Sequence, residues 1–563
     1  MRQGQLPLNV ATSDHPELRS QLGAVYTPAL LADWVARLLV DALSEEARAV
    51  GVLDPACGDG SLLRAIQRQD ETIPLVGFDI DPTAVRRTQR ALPTAACHHL
   101  DALIDPWPTD RDVSGVIVNP PWGADLGHSR ADLQAAGYSL ASGQFDSYEL
   151  FLERIIEELA EGTVVGAILP DSVFLPEHEA LRRLLVERTT LLKLARLGEG
   201  FFEDVYRGTV VLVLRVGPPP KRHTVSCYRL RKDDRKAVLN GRRSLTEVFN
   251  GSPNRMSQSR FAQAPGVRFD IDVRRDDRSA VSKFEQKPSD WNAWYTFSRG
   301  VELGKSGLVS GCACGVHRPS PCNPQFTCSD CGQLVDTAAS QRPIIRPSTR
   351  VTTGDGLRPI VVGEDVDRYS LAVRRTIQVD LPGINYKRPD LYAGEKLLVR
   401  KTGLGIKATI DNTGAWTNQV VYVVRAKQQA PDFALPYALG VLSSRCMLAY
   451  YLSTSGETEW RSHPYITPKV IKTLPLPIFS SASSATAEQA RRVASAVRKI
   501  LDEGYTVDAD LEVESLVAGL FGLDAADLDW VKKTLERADD LQAIASMRFP
   551  AEIRLVPSHV GDN

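Results

Sequence analysis

The sequence has no apolar run approaching the ~20 residues that a membrane-crossing helix requires. Its opening, MRQGQLPLNV, lacks the basic-then-apolar pattern of a secretory leader. There is no G-x-x-x-x-G-K-[ST] pattern, which argues against a phosphate-binding P-loop, and the glycine loop Gly58-x-Gly60 does not extend to the G-x-G-x-x-G of dinucleotide-binding folds. An internal repeat, a separate nuclease segment and an evenly spaced disulfide framework are also missing. These absences lead us to expect a cytoplasmic protein with no membrane partner.

What is present is an ordinary globular composition, 43% hydrophobic and 24% charged over 563 residues, enough for three or four domains. The net charge of −2 hides a division. Residues 221–480 carry 39 Lys+Arg against 23 Asp+Glu, a net of +16, and the flanks are acidic. Such a segment suits contact with phosphates, although a solvated basic face is also open. Five of the nine cysteines, Cys312, Cys314, Cys322, Cys328 and Cys331, fall within twenty residues, and clustering favours a metal site in a reducing compartment.

From about Leu53 to Leu214 short β-branched runs alternate with helical periodicity, the pattern of a parallel α/β sheet. Strands are expected at VGVLDPA, PLVGFDID, SGVIVNPP, TVVGAILP and TVVLVLRV, and a helix at YELFLERIIEELAEG ending at Gly162. GPPPK, residues 217–221, reads as a boundary. The expected divisions are therefore 1–220, a basic region 221–480, and an acidic helical segment 481–563.

Three carboxylates follow successive strand segments. Asp54 precedes the Gly58–Gly60 loop, Asp79 lies about twenty residues on, where it can accept both hydroxyls of a ribose, and Asp101 follows a third segment. Each alone could be a solvated strand end or a helix cap. Ligands bind at the carboxyl ends of such sheets, so together they point to a small-molecule site.

VIVNPPWG, residues 116–123, then ends a β-branched run with Asn119, two prolines that cannot donate backbone hydrogen bonds, and Trp122. With GAVYTP at 23–28, DPACGDG at 54–60, FDID at 78–81, Asp101 and NPPW in this order, the chain resembles the S-adenosylmethionine-dependent DNA amino-methyltransferases. The arrangement is the γ one, with cofactor motifs first and a target-recognition domain last. The resemblance implies a Rossmann-like domain built on a mostly parallel seven-stranded sheet, then a mixed α/β recognition domain with a helical C-terminus; the cysteine cluster, read as a zinc-knuckle insertion, departs from the simplest members. It implies S-adenosylmethionine held by Tyr26, Thr27, Pro28, Asp54, Ala56, Cys57, Gly58, Gly60, Asp79, Ile80, Asp101, Asn119 and Phe151. Catalysis falls to Asn119, Pro120, Pro121 and Trp122, with Phe201, or alternatively Phe202, as a second aromatic.

The chemistry of that tetrapeptide is physical. An exocyclic amino nitrogen has its lone pair delocalised into the base. If Asn119 and the Pro120 carbonyl each accept one amino hydrogen, the nitrogen can pyramidalise and aim its lone pair at a methyl group. Trp122 offers a stacking face for a base flipped out of the duplex. Carbon-5 methylation of cytosine needs a thiolate instead, and Cys57 reads as a small buried residue.

The expected partner is double-stranded DNA, and a cognate restriction or defence protein is a further possibility. Adenine N6 is the expected target, with cytosine N4, protein glutamine methylation and a silent DNA-binding subunit as alternatives. Arg368, Arg400, Lys401 and Lys407 are candidate DNA contacts in the recognition region. Cys328-x-x-Cys331-Gly forms one good zinc knuckle, and five cysteines compete for four tetrahedral positions of a structural zinc.

Overall fold

Runs of Val, Ile and Leu bounded by glycine, proline and aspartate set the strands of the first sheet. The computed structural model describes residues 27–108, 112–202, 207–251, 253–287, 289–321, 323–348, 356–455, 465–479 and 484–538. Tyr26 and Cys322 lie outside the described residues. The chain divides into two compact units, Met1–Val273 and Arg274–Asn563.

The first unit holds a nine-stranded sheet. Its strands are β1 (Val52–Asp54), β2 (Leu75–Asp79), β3 (Ala96–His99), β4 (Gly115–Val118), β5 (Val164–Pro170), β6 (Thr189–Gly198), β7 (Thr209–Val216), β8 (Thr224–Arg229) and β9 (Asn254–Ser257), in the order β3-β2-β1-β4-β5-β7-β6-β8-β9. The first five in that order run parallel, and β7 enters antiparallel between β5 and β6. The expected seven strands are thus corrected to nine. β8 pairs parallel with β6, and β9 closes the edge antiparallel. Both come from residues beyond 220, so the unit runs on to Val273 rather than ending at the proline run.

β1 lies between β2 and β4, so chain crossovers diverge on either side of it and a crevice opens at its carboxyl end. Helices cover the sheet through apolar stripes. Leu62, Leu63, Ala65 and Ile66 of the helix Ser61–Gln69 are buried, as are Leu31, Val35 and Leu39 of the helix Ala29–Val40. Burial of a Leu or Ile side chain contributes roughly 1.5–3 kcal/mol, so these stripes hold the strand ends in place.

The second unit contains two four-stranded sheets. One has the order Tyr295–Arg299, Val421–Ala426, Lys396–Arg400, Ala408–Asp411, all antiparallel. The other runs Ile345–Pro347, Arg375–Gln378, Leu357–Val361, Trp416–Thr417. Smaller hairpins carry the cysteines. The helices Ala485–Glu503, Val507–Phe521 and Ala525–Glu536 belong to this same unit. Gly440 lets the buried helix Ala434–Ser443 approach Ala485–Glu503, because a Cβ there would lie 2.6 Å from a Val493 methyl.

Arg368 is buried and bonds Asp510 through two nitrogens, at 2.8 and 2.5 Å. It is therefore a core residue rather than a DNA contact. Among the described residues, no helix is long and apolar enough to cross a membrane.

Candidate active site and cysteine cluster

At the end of β1 the Asp54 carboxylate is buried, and its Oδ1 accepts the Ala56 N–H at 3.0 Å. Oδ2 is equally buried and has no hydrogen-bond partner among the described residues. Burial pushes this carboxyl well above the usual carboxylate range, and the nearby Asp79 charge adds to the effect. A buried acceptor without a donor fits a site completed by a ligand.

The loop after β1 is lashed to β2. The Cys57 N–H donates to the Phe78 carbonyl and the Gly58 N–H to Asp79 Oδ2, both at 2.8 Å. Asp79 Oδ1 takes the Asp81 N–H at 2.8 Å. Burial outweighs these two donors and raises the Asp79 carboxyl to about 6. Gly60 adopts a left-handed φ of 79° and sits so near Thr88 that a Cβ would lie 3.0 Å from its side chain, while Thr88 Oγ1 donates to the Gly58 carbonyl at 2.9 Å. Ile80 is 46% exposed beside Asp79, an apolar surface next to the crevice. Cys57 is buried, and burial pushes its thiol pKa far up, which removes it as a thiolate nucleophile.

Asn119 follows β4. Its Nδ2 donates to Thr27 Oγ1 at 3.0 Å, so Oδ1 is the acceptor the side chain can offer. The proline pair is tied to the helix Ser147–Glu158: Ser147 Oγ donates to the Pro121 carbonyl at 2.5 Å, and the Gly123 N–H donates to Asp146 Oδ1 at 2.5 Å. Arg207 holds the other Asp146 oxygen at 3.1 Å. Glu149 Oε1 takes the Asp146 N–H at 2.6 Å and lies 2.7 Å from His178 Nδ1, both side chains buried.

Trp122 meets Phe202 edge-on, with centroids 5.2 Å apart and planes at 77°. Phe201 and Phe202 are both buried and belong to the same core cluster, and Phe202, the alternative in the sequence reading, is the ring placed against Trp122. Phe151 is buried on the helix Ser147–Glu158. Asp101 Oδ1 accepts the Leu103 N–H at 2.9 Å, and Oδ2 lies 2.6 Å from His128 Nε2. Sequence reasoning missed His128, Thr88 and the Asp146–Glu149–His178 support. Only Asp146 and Glu149 carry a signal, the D-x-x-E spacing of a helix start.

In the second unit the sulfurs of Cys312, Cys314, Cys328 and Cys331 lie within 4.8 Å of one another. The pairs Cys312/Cys331 and Cys314/Cys328 are 3.4 and 3.8 Å apart. Tetrahedral zinc with bonds of about 2.3 Å places sulfurs roughly 3.8 Å apart, so the four fit one ion. Gly315 and Gly332, with φ of 89° and 74°, turn the chain immediately after Cys314 and Cys331. His317 is engaged elsewhere, with the Gly315 carbonyl and Arg342.

The same unit carries a groove of about 1190 Å³ whose lining includes Thr296, Ser298, Arg299, Lys387, Arg388, Arg425 and Lys427, against two carboxylates, Glu302 and Asp390. The Arg388 side chain is 86% exposed. Lys407 pairs with Asp367 at 3.1 Å, and Lys401 lies over the Tyr465 ring at 5.9 Å.

Residues 14–248 match the N-6 DNA methylase family, and residues 358–476 match the TaqI-like C-terminal specificity domain. The type II methyltransferase M.BanIII of Aneurinibacillus aneurinilyticus is 26% identical over 228 residues, 35% of this chain and 39% of that protein. The type II methyltransferase M.TthHB8I of Thermus thermophilus is 28% identical over 190 residues, 32% of this chain and 42% of that protein. The chain thus spans less than half the length of these relatives. Among solved structures, the type IIL restriction-modification enzyme MmeI in complex with DNA shares the fold over 94% of this chain and 80% of that one, with a TM-score of 0.53 at 13% identity.

Proposed function

Starting from a chain that carries an N-6 DNA methylase domain followed by a TaqI-like specificity domain, we propose that it methylates the exocyclic N6 of an adenine flipped out of duplex DNA. The observation that carries this reading is the Asn119 amide, anchored through its nitrogen on Thr27 beside a proline pair fixed by Ser147. S-adenosylmethionine, when bound, supplies the methyl group. Asp79 accepts from its ribose, Asp54 and the Gly58–Gly60 loop receive its remaining polar groups, and Ile80 and Phe151 contribute apolar contact. Asn119 Oδ1 and the Pro120 carbonyl take the two amino hydrogens, which frees the nitrogen lone pair without any covalent intermediate. Trp122 and the buried Phe201–Phe202 pair supply the aromatic surface, and entry of a base between Trp122 and Phe202 requires their edge contact to open.

The second unit reads sequence. Its groove, with five cations against two carboxylates, suits the phosphates of a duplex flank. The four clustered cysteines hold one structural zinc that staples the recognition hairpins, and with four thiolates the ion has no open position for chemistry. We assign the protein to the cytoplasm, as the modification component of a restriction-modification or antiphage system.

The test is incubation of the purified chain with unmethylated genomic DNA and S-adenosylmethionine, followed by sequencing that reports modified bases. N6-methyladenine at one recurring motif is expected. Methyl incorporation at cytosine N4 would move the target atom, and none at all would overturn the reading.

A further inference from the structure

The segment between Trp122 and the helix Ser147–Glu158 is shaped around one residue. Asp125 Oδ1 accepts the Gly127 N–H at 3.1 Å, and Gly127 turns the chain with a left-handed φ of 68°. Ser129 then caps the helix Arg130–Ala135, its Oγ accepting the Asp132 N–H at 3.2 Å while Asp132 Oδ2 accepts the Ser129 N–H at 3.1 Å. His128 sits between the turn and the cap, and Nε2 lies 2.6 Å from Asp101 Oδ2. The strand-end loop is held at other points too, by this segment and by the helix Ser147–Glu158 that follows it. Tyr138 Oη donates to the Leu103 carbonyl at 2.7 Å, and Arg154 donates to the Leu103 and Asp105 carbonyls at 3.1 and 3.2 Å.

Asp101 is held from both sides. Its Oδ1 takes the Leu103 N–H at 2.9 Å and its Oδ2 takes His128. A carboxylate rotates readily about its last bond, and one donor restrains that rotation less than two on opposite oxygens. Each oxygen keeps a second lone pair for another donor. We propose that His128 is a positioning residue: it locks the Asp101 carboxylate so that its remaining lone pairs face the amino group of the cofactor's adenine. The loop following the Asn-Pro-Pro-Trp tetrapeptide thereby sets which nucleoside the cofactor site accepts. This inference rests on the reading of Asp101 as a cofactor contact.

The test compares two ligands that differ in that donor, S-adenosylhomocysteine and S-inosylhomocysteine, whose ring carries an oxo group in place of the amino group. Calorimetric titration of the full chain is expected to show a preference for the adenosyl ligand of about tenfold or more, the size of a hydrogen bond to a charged group. His128→Ala should erase most of that preference, His128→Asn should restore part of it through its amide N–H, and Asp101→Asn combined with His128→Ala should lose no more than Asp101→Asn alone. General loosening of the fold would weaken both ligands and leave their ratio unchanged. A full preference retained in His128→Ala overturns the positioning role while leaving the Asp101 reading intact. A wild-type chain that binds both ligands equally overturns both.

Discussion

The Gly58 amide nitrogen lies 2.8 Å from Asp79 Oδ2, so the carboxylate that ends β2 braces the glycine loop that follows β1. Replacing Asp79 with Ala should weaken S-adenosylmethionine binding by about 1–3 kcal/mol, the cost of leaving donors unsatisfied. Unaltered affinity by calorimetry would mean that the ribose is held elsewhere.

The same carboxyl gives a pH dependence. Burial raises it from 3.8 to about 6, and only the ionised form can accept from two hydroxyls at once. Cofactor affinity should therefore be full at about pH 7 and above, and fall as pH drops through 6. Titrations between pH 5 and 8 on wild type and Asp79→Asn check this, because the variant should lose that step.

Asn119→Ala should abolish methyl transfer while leaving cofactor affinity nearly unchanged. The Asn119 amide nitrogen is anchored on the Thr27 hydroxyl, and on the proposed reading its oxygen serves the substrate. Loss of cofactor binding in a variant with an unchanged melting profile would reverse the division of roles.

Metal analysis of protein prepared without chelators should find about one zinc per chain. Cys328→Ser should lower that content and the melting temperature, whereas Cys322→Ser should lower neither. A fall in zinc with Cys322→Ser would place a fifth sulfur in competition for the site.

Two arginines of the recognition unit should behave oppositely. Arg368→Ala leaves Asp510 buried with one cationic partner fewer and should destabilise the fold by about 3 kcal/mol, measured by denaturant melting. Arg388→Ala should leave stability alone, weaken DNA binding uniformly across sequences, and reduce the log–log salt slope by about 1. A change confined to one base position would make Arg388 a base reader instead.

The parts of this architecture written as local patterns were readable in the chain. Strand runs ending in Asp54, Asp79 and Asn119 appear where the β-branched periodicity stops, and the knuckle spacing of Cys328 and Cys331 draws the cluster together. β6 was not read, because register irregularities at Leu191/Lys193 and Arg196/Gly198 break its two-residue alternation. The run HTVSCYRLR, which becomes β8, is strand-like in the sequence but falls beyond the proline run, and only its pairing with β6, and that of β9 with β8, shows that the sheet continues. Arg368 looked like a surface cation because its partner, Asp510, is 142 residues away. His128 meets Asp101 only through a turn and a cap that fold independently of either residue.

The tandem prolines present two carbonyls in succession, and the helix Ser147–Glu158 has claimed one of them: Ser147 occupies Pro121. The loop is thereby keyed. Were it to slide by a single residue, the carbonyl brought to the reaction point would be one that already holds the Ser147 hydroxyl on one lone pair, and it would have only the other to offer an amino hydrogen. Misregistration would then weaken the acceptor pair and slow transfer, on the proposed reading, instead of moving the reaction to another atom.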